Sequence, residues 1–140
     1  MSRFSHFAKF RNDFDLHVGP ALTAWDRDAF AEEIRAAVEG ILEISFPPKG
    51  ITRSRSDGYH FWFADDRFEV NLYVDDTDIG FPYDRVPALL EVRSNLEEVE
   101  TWELSESLYD RLDALGRYRL LAVAKDSSYI ASNYPVGDTW

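Results

Sequence analysis

Five side chains between positions 60 and 73, namely His60, Trp62, Glu69, Asn71 and Tyr73, are of types that do recognition chemistry. Trp and Tyr offer large contact areas at low entropic cost, and polar neighbours fix their orientation, which is the composition of interface hot spots. Asp75, Asp76 and Asp78 follow directly. Clustered carboxylates of this kind suit a hard divalent cation or form the charged rim of a site for a basic partner. Further along, Glu91-Val92-Arg93 lies downstream of Asp78 and Asp84. His6 and His17 are too far from His60 in sequence to suggest a shared metal set. The absence of cysteine excludes disulfides, zinc–thiolate sites, iron–sulfur clusters and thiol catalysis. No serine sits in a nucleophile elbow, and no glycine-rich phosphate loop occurs.

Each cluster also has a plainer reading. A calcium loop beginning at Asp76 would need a ligand where Gly80 stands and a glutamate where Pro87 stands. The aspartates therefore read better as turn residues after a strand. Trp62 could be a recognition anchor, or it could pack beneath a loop or the chain terminus.

The elements that must carry these residues follow from periodicity. Phe30, Ile34, Ala37, Val38 and Ile41 recur at helical spacing behind an acidic opening turn, which predicts a helix over 26–43, stopped by Pro47-Pro48. Residues 59–64 and 67–74 are rich in aromatic and β-branched side chains and predict a β-hairpin. A tight turn at Asp65-Asp66 would pair Phe63 with Phe68, Phe61 with Val70 and Tyr59 with Leu72. That pairing gathers the apolar residues on one face and leaves His60, Trp62, Glu69, Asn71 and Tyr73 on the other. Residues 86–93 predict a third strand. Leu108, Leu112 and Leu115, after a capping-box-like Ser107-Leu108-Tyr109-Asp110, predict a second helix over 106–115. Residues 118–124 and 129–134 predict a closing hairpin across the turn-like 125–128, and residues 1–22 read as an irregular N-terminal segment.

The expected fold is therefore a single α+β domain over residues 1–140 in the order α-β-β-β-α-β-β. Its mainly antiparallel five-stranded sheet would carry two amphipathic helices on one face. That order resembles the core of the restriction-endonuclease-like nucleases over most of residues 26–124, which implies a metal-dependent nuclease with Glu91 and Asp78 or Asp84 as ligands. Arg93 stands where that family has lysine. With the final hairpin included, the order also resembles class I type III secretion chaperones, which implies a homodimer that binds a client segment.

At 140 residues the chain is one domain in size, and 45% hydrophobic residues suffice for a core. Its net charge of −11 disfavours nucleic acid and anionic membranes. The acidity is concentrated: residues 26–43 carry −4, 61–78 carry −5 and 91–113 carry −6. It serves either as a landing surface for a basic protein or as a source of solubility. No apolar run approaches the roughly 20 residues of a membrane span, and no secretory signal is evident, so a cytoplasmic location is expected. Small size, acidity and the lack of a coherent catalytic set make a non-enzymatic protein-binding module the leading expectation. An immunity or antitoxin-type protein that masks a basic toxin, with no cofactor, fits those features best.

Overall fold

The structure, a computed structural model, describes residues 4–10, 14–48, 51–54, 58–74, 85–124 and 128–135. After a 3₁₀ segment at Phe4–Phe10 the elements are β1 (Phe14–Pro20), α1 (Arg27–Leu42), β2 (Ile51–Ser54), β3 (Gly58–Ala64) and β4 (Phe68–Val74). They continue with β5 (Ala88–Ser94), α2 (Thr101–Ala114), β6 (Tyr118–Ala124) and β7 (Tyr129–Ser132). Among the described residues the strands form one seven-stranded sheet in the order β2-β3-β4-β5-β1-β6-β7, antiparallel throughout.

The α+β class, the antiparallel sheet and the two helices agree with expectation, but the five-strand count does not. The additional strands are β2 and β1, and β1 occupies part of the segment read as irregular. The alternation Phe14, Leu16, Val18 against Asp15, His17, Gly19 makes β1 a two-faced strand, and Phe14, Leu16 and Val18 are buried. β4, β5 and β6 repeat the pattern with Val70 and Leu72, Leu90 and Val92, and Leu120 and Ala122. These side chains share one core with Phe30, Ile34 and Val38 of α1 and with Leu108, Tyr109 and Leu112 of α2. Both helices thus cover the same sheet face. Phe4 closes that core at one edge, its ring 6.3 Å from Phe14 and 5.9 Å from Tyr109.

Local chemistry sets the boundaries. Asp26 accepts from the Ala29 amide at 3.1 Å and starts α1. Glu43, in the left-handed region at φ 57°, ends it. The carboxylate of Glu39 takes Arg35 at 2.8 Å through one oxygen and the Phe46 amide at 2.8 Å through the other, fastening the following loop to the helix. α2 starts at Thr101, earlier than the expected 106. Glu103 reaches back to the Glu100 amide at 3.3 Å, and the Thr101 hydroxyl accepts from the Ser94 amide at 3.0 Å. The capping residues are thus Glu100 and Glu103, and Ser107 lies inside the helix.

The β3–β4 turn is also displaced. Asp65 accepts from the Arg67 and Phe68 amides at 2.8 and 3.1 Å and binds the Arg67 side chain through its other oxygen. This Asx turn centres the reversal on Asp66-Arg67, so Phe63 faces Val70, Phe61 faces Leu72 and Tyr59 faces Val74. A turn moved by one residue shifts each pairing by two, which preserves the face assignment.

Two glycines make opposite predictions. At Gly19 a Cβ would overlap the backbone carbonyl of Arg85, whereas at Gly40, inside α1, a Cβ would meet open space. Gly19→Ala should lower unfolding free energy by about 1–3 kcal/mol. Gly40→Ala should raise it by about 0.5–1 kcal/mol. Urea denaturation of both variants checks this, and shifts of the same sign would contradict the placement.

Candidate functional site

The sheet face turned away from the helices is ordered by strand register into transverse rows. One row runs His60, Tyr73, Leu89, His17, Leu121 across β3, β4, β5, β1 and β6. The next runs Trp62, Asn71, Glu91, Asp15, Val123, and a shorter third runs Ala64, Glu69, Arg93. The β6–β7 end of this face is partly closed by a second small core, in which Val86, Leu121 and Val123 are buried against Tyr129 and Tyr134. The β3–β5 end is open: Trp62 and Tyr73 are each 37% exposed.

Here side chains of adjacent strands bond laterally. The two oxygens of Glu69 are used by different donors, with Trp62 Nε1 at 3.0 Å on one and an Arg93 guanidinium nitrogen at 2.7 Å on the other. His60 lies flat on Tyr73, with ring centres 4.3 Å apart and planes within 8°. Its Nε2 lies within hydrogen-bond distance of Asn71 Oδ1, at 2.8 Å. Burial pushes the Tyr73 hydroxyl above its ordinary pKa, and the charges of Glu91 and Glu69 push it further. Asp15 and Glu91 stand opposite each other on neighbouring strands, a like-charge juxtaposition that ordinarily weakens a sheet. His17 lies in register between Leu89 and Leu121, and burial lowers its pKa from 6.5 to about 4.

Of the residues singled out from sequence, Trp62, Glu69, Asn71 and Tyr73 come together on this open face. Asp75, Asp76, Asp78 and Asp84 lie outside the described residues. Glu91 and Arg93 share the face, but Arg93 is engaged with Glu69. Among the described residues no three His, Cys, Asp or Glu side chains group as they would to hold a metal ion. Asp15 and His17 were missed because β1 was read as irregular; their alternation with Phe14, Leu16 and Val18 was the available signal. A shallow groove of about 420 Å³ lies along α2 between Trp102, Glu106, Asp110 and Arg111. Its side chains all come from one helix, whereas the outer-face set is drawn from several strands.

Comparison with known proteins finds no matching family, curated protein or solved structure. Among the described residues no helix is long and apolar enough to cross a membrane.

The His17 environment predicts a pH dependence. Above pH 6.5 the imidazole is neutral in both folded and unfolded chains. Between 6.5 and about 4 the unfolded chain takes up the proton first, so stability falls as pH falls, by at most about 3 kcal/mol. His17→Leu removes this loss. The stability difference between variant and wild type, measured in urea at pH 7, 5.5 and 4.5, should therefore grow in favour of the variant as pH drops. A difference independent of pH would show that burial does not hold this histidine neutral.

Proposed function

We propose that the chain is an acidic, non-enzymatic protein-binding module that engages a basic protein through the outer face of β3, β4 and β5, in the manner of an immunity or antitoxin protein masking a toxin or effector. The observation that carries this reading is the exposure of Trp62 and Tyr73, diagonal neighbours on one sheet face, among Glu69, Glu91, Asn71 and His60. A strand face that carried only solubility would present short or charged side chains, because an exposed indole and phenol offer apolar area to water. Here the aromatics supply a centre and the carboxylates a rim. With a net charge of −11, long-range attraction speeds encounter with a cationic surface, and burial of the aromatics slows departure.

The test is affinity capture from lysate of the source organism, followed by binding measurements on the recovered partner. The partner should be basic, and salt should weaken its association. Trp62→Ala should accelerate dissociation and cost about 2 kcal/mol or more of binding. The same substitution should leave folding nearly intact, because the side chain is exposed. Glu69→Gln should chiefly slow association. A partner that binds Trp62→Ala as tightly as wild type would exclude the outer face and move the search to α2.

A further inference from the structure

The loop that leaves β1 brings exposed apolar side chains to one end of the molecule. The Ala21 amide donates to the Arg117 carbonyl at 3.0 Å, which lays residues 21–25 beside the turn between α2 and β6. Leu22 is 72% exposed, the most of any large apolar side chain among the described residues, and Leu115 on the adjoining turn is 42% exposed. Trp25 rests on Phe30 with ring centres 5.5 Å apart, and Phe30 meets Tyr118 edge-on at 6.0 Å. Immediately beside Leu22 a groove of about 280 Å³ opens between Thr23, Ala24, Asp26, Ala29, Phe30 and Glu33. It is roomy enough for a leucine side chain, and the exposure of Leu22 means that this chain's own leucine does not fill it.

A knob and a hole that adjoin on one surface are what a two-fold axis can match. The knob of each copy meets the hole of the other, so the contact closes at two copies and does not continue into a filament. The charges fit the same arrangement. Asp26 and Glu33 line the groove, and Arg117 stands beside it, half exposed and 3.8 Å from Glu33, so each copy offers a cation to the carboxylates of the other. A uniformly cationic surface would meet Arg117 with like charge, whereas a second copy presents both signs.

We propose that this end of the molecule is the interface of a two-fold symmetric homodimer, in which Leu22 of each copy enters the groove beside Thr23 and Ala29 of the other. The groove belongs to α1, which packs on the sheet face opposite Trp62 and Tyr73. The dimer therefore does not depend on the outer face as a docking surface and leaves that face open.

Sedimentation velocity of the full chain, from low to high micromolar concentration, should show a monomer–dimer equilibrium. Physiological ionic strength is needed, so that repulsion between copies of net charge −11 is screened beyond about 8 Å. Leu22→Ser removes both knobs of a dimer, and burying one leucine is worth about ten-fold in affinity, so this variant should dimerise about a hundred-fold less tightly. Ala29→Gln, at an exposed position of α1, extends a side chain into both grooves and should do the same. Mixed in equal amounts, the two variants should bind each other about ten-fold more tightly than either binds itself, because the mixed pair keeps one leucine in one open groove. Ile51→Ser removes an exposed apolar side chain from β2, the edge strand at the other end of the sheet, and should leave dimerisation unchanged. All three substitutions are at exposed positions, and urea denaturation checks that folding is retained. A monomer at every concentration, a species larger than a dimer, a dimer indifferent to Leu22→Ser, an equal loss in Ile51→Ser, or mixed variants that bind no better than each alone would overturn the proposal.

Discussion

β1 is hydrogen-bonded on one side to β5 and on the other to β6, and in the strand order it alone joins the β2–β5 meander to the β6–β7 hairpin. Withdrawing it would leave a four-stranded sheet and a two-stranded hairpin, and a hairpin alone is marginally stable at best. α2 spans this seam, touching β5, β1 and β6, while α1 lies over β3 and β4. The fit leaves little tolerance at Gly19, where the chain entering β5 passes so close that its backbone occupies the space of a side chain. Because β1 comes early in the chain and its partners lie about 70 to 110 residues later, the central pairing must await synthesis of the rest and closes a large loop.

The same strand decides what the outer face can do. With a side-chain period of two, the register that buries Phe14, Leu16 and Val18 must deliver Asp15 and His17 to the other side, opposite Glu91 and Leu89. One placement sets two carboxylates opposite each other, and the other sets an imidazole between Leu89 and Leu121. The helix-covered face carries the apolar burial, with a core continuous from Phe4 to Ala131.

Elements governed by local periodicity were legible in the sequence, and those governed by distant pairing were not. The stripe of Phe30, Ile34 and Val38 located α1 because an amphipathic helix reports its own buried face. The alternation in β4 located Glu69, Asn71 and Tyr73 for the same reason, and the hairpin pairing carried Trp62 of β3 onto the same face. The turn position was misjudged because both aspartates are good turn formers, and the decision rests on Asp65 bonding two amides ahead of it. The first turn of α2 was obscured because its core-facing positions include Thr101 and Ser105, polar residues that weaken a hydrophobic stripe. β1 gave a short alternation ending in Gly19-Pro20, which resembles loop chemistry until β5 and β6 are placed beside it. Glu91 and Arg93 were noticed as a metal-site fragment, yet the cross-strand partner of Arg93 is Glu69, on a different strand and 24 residues earlier.

An extended strand must present something on both sides, and a sheet with helices on one face has to solve the other separately. At the β6–β7 end the solution is a second small core around Leu121 and Val123. At the β3–β5 end it is a lateral polar lattice, in which Trp62 bonds Glu69, Glu69 bonds Arg93, and His60 stacks on Tyr73 while bonding Asn71. Such a lattice holds each aromatic ring in one orientation while leaving more than a third of Trp62 and Tyr73 exposed. Side chains ordered before binding lose less entropy when a partner arrives, so the bonds that make this face a stable outer surface also prepare it for contact.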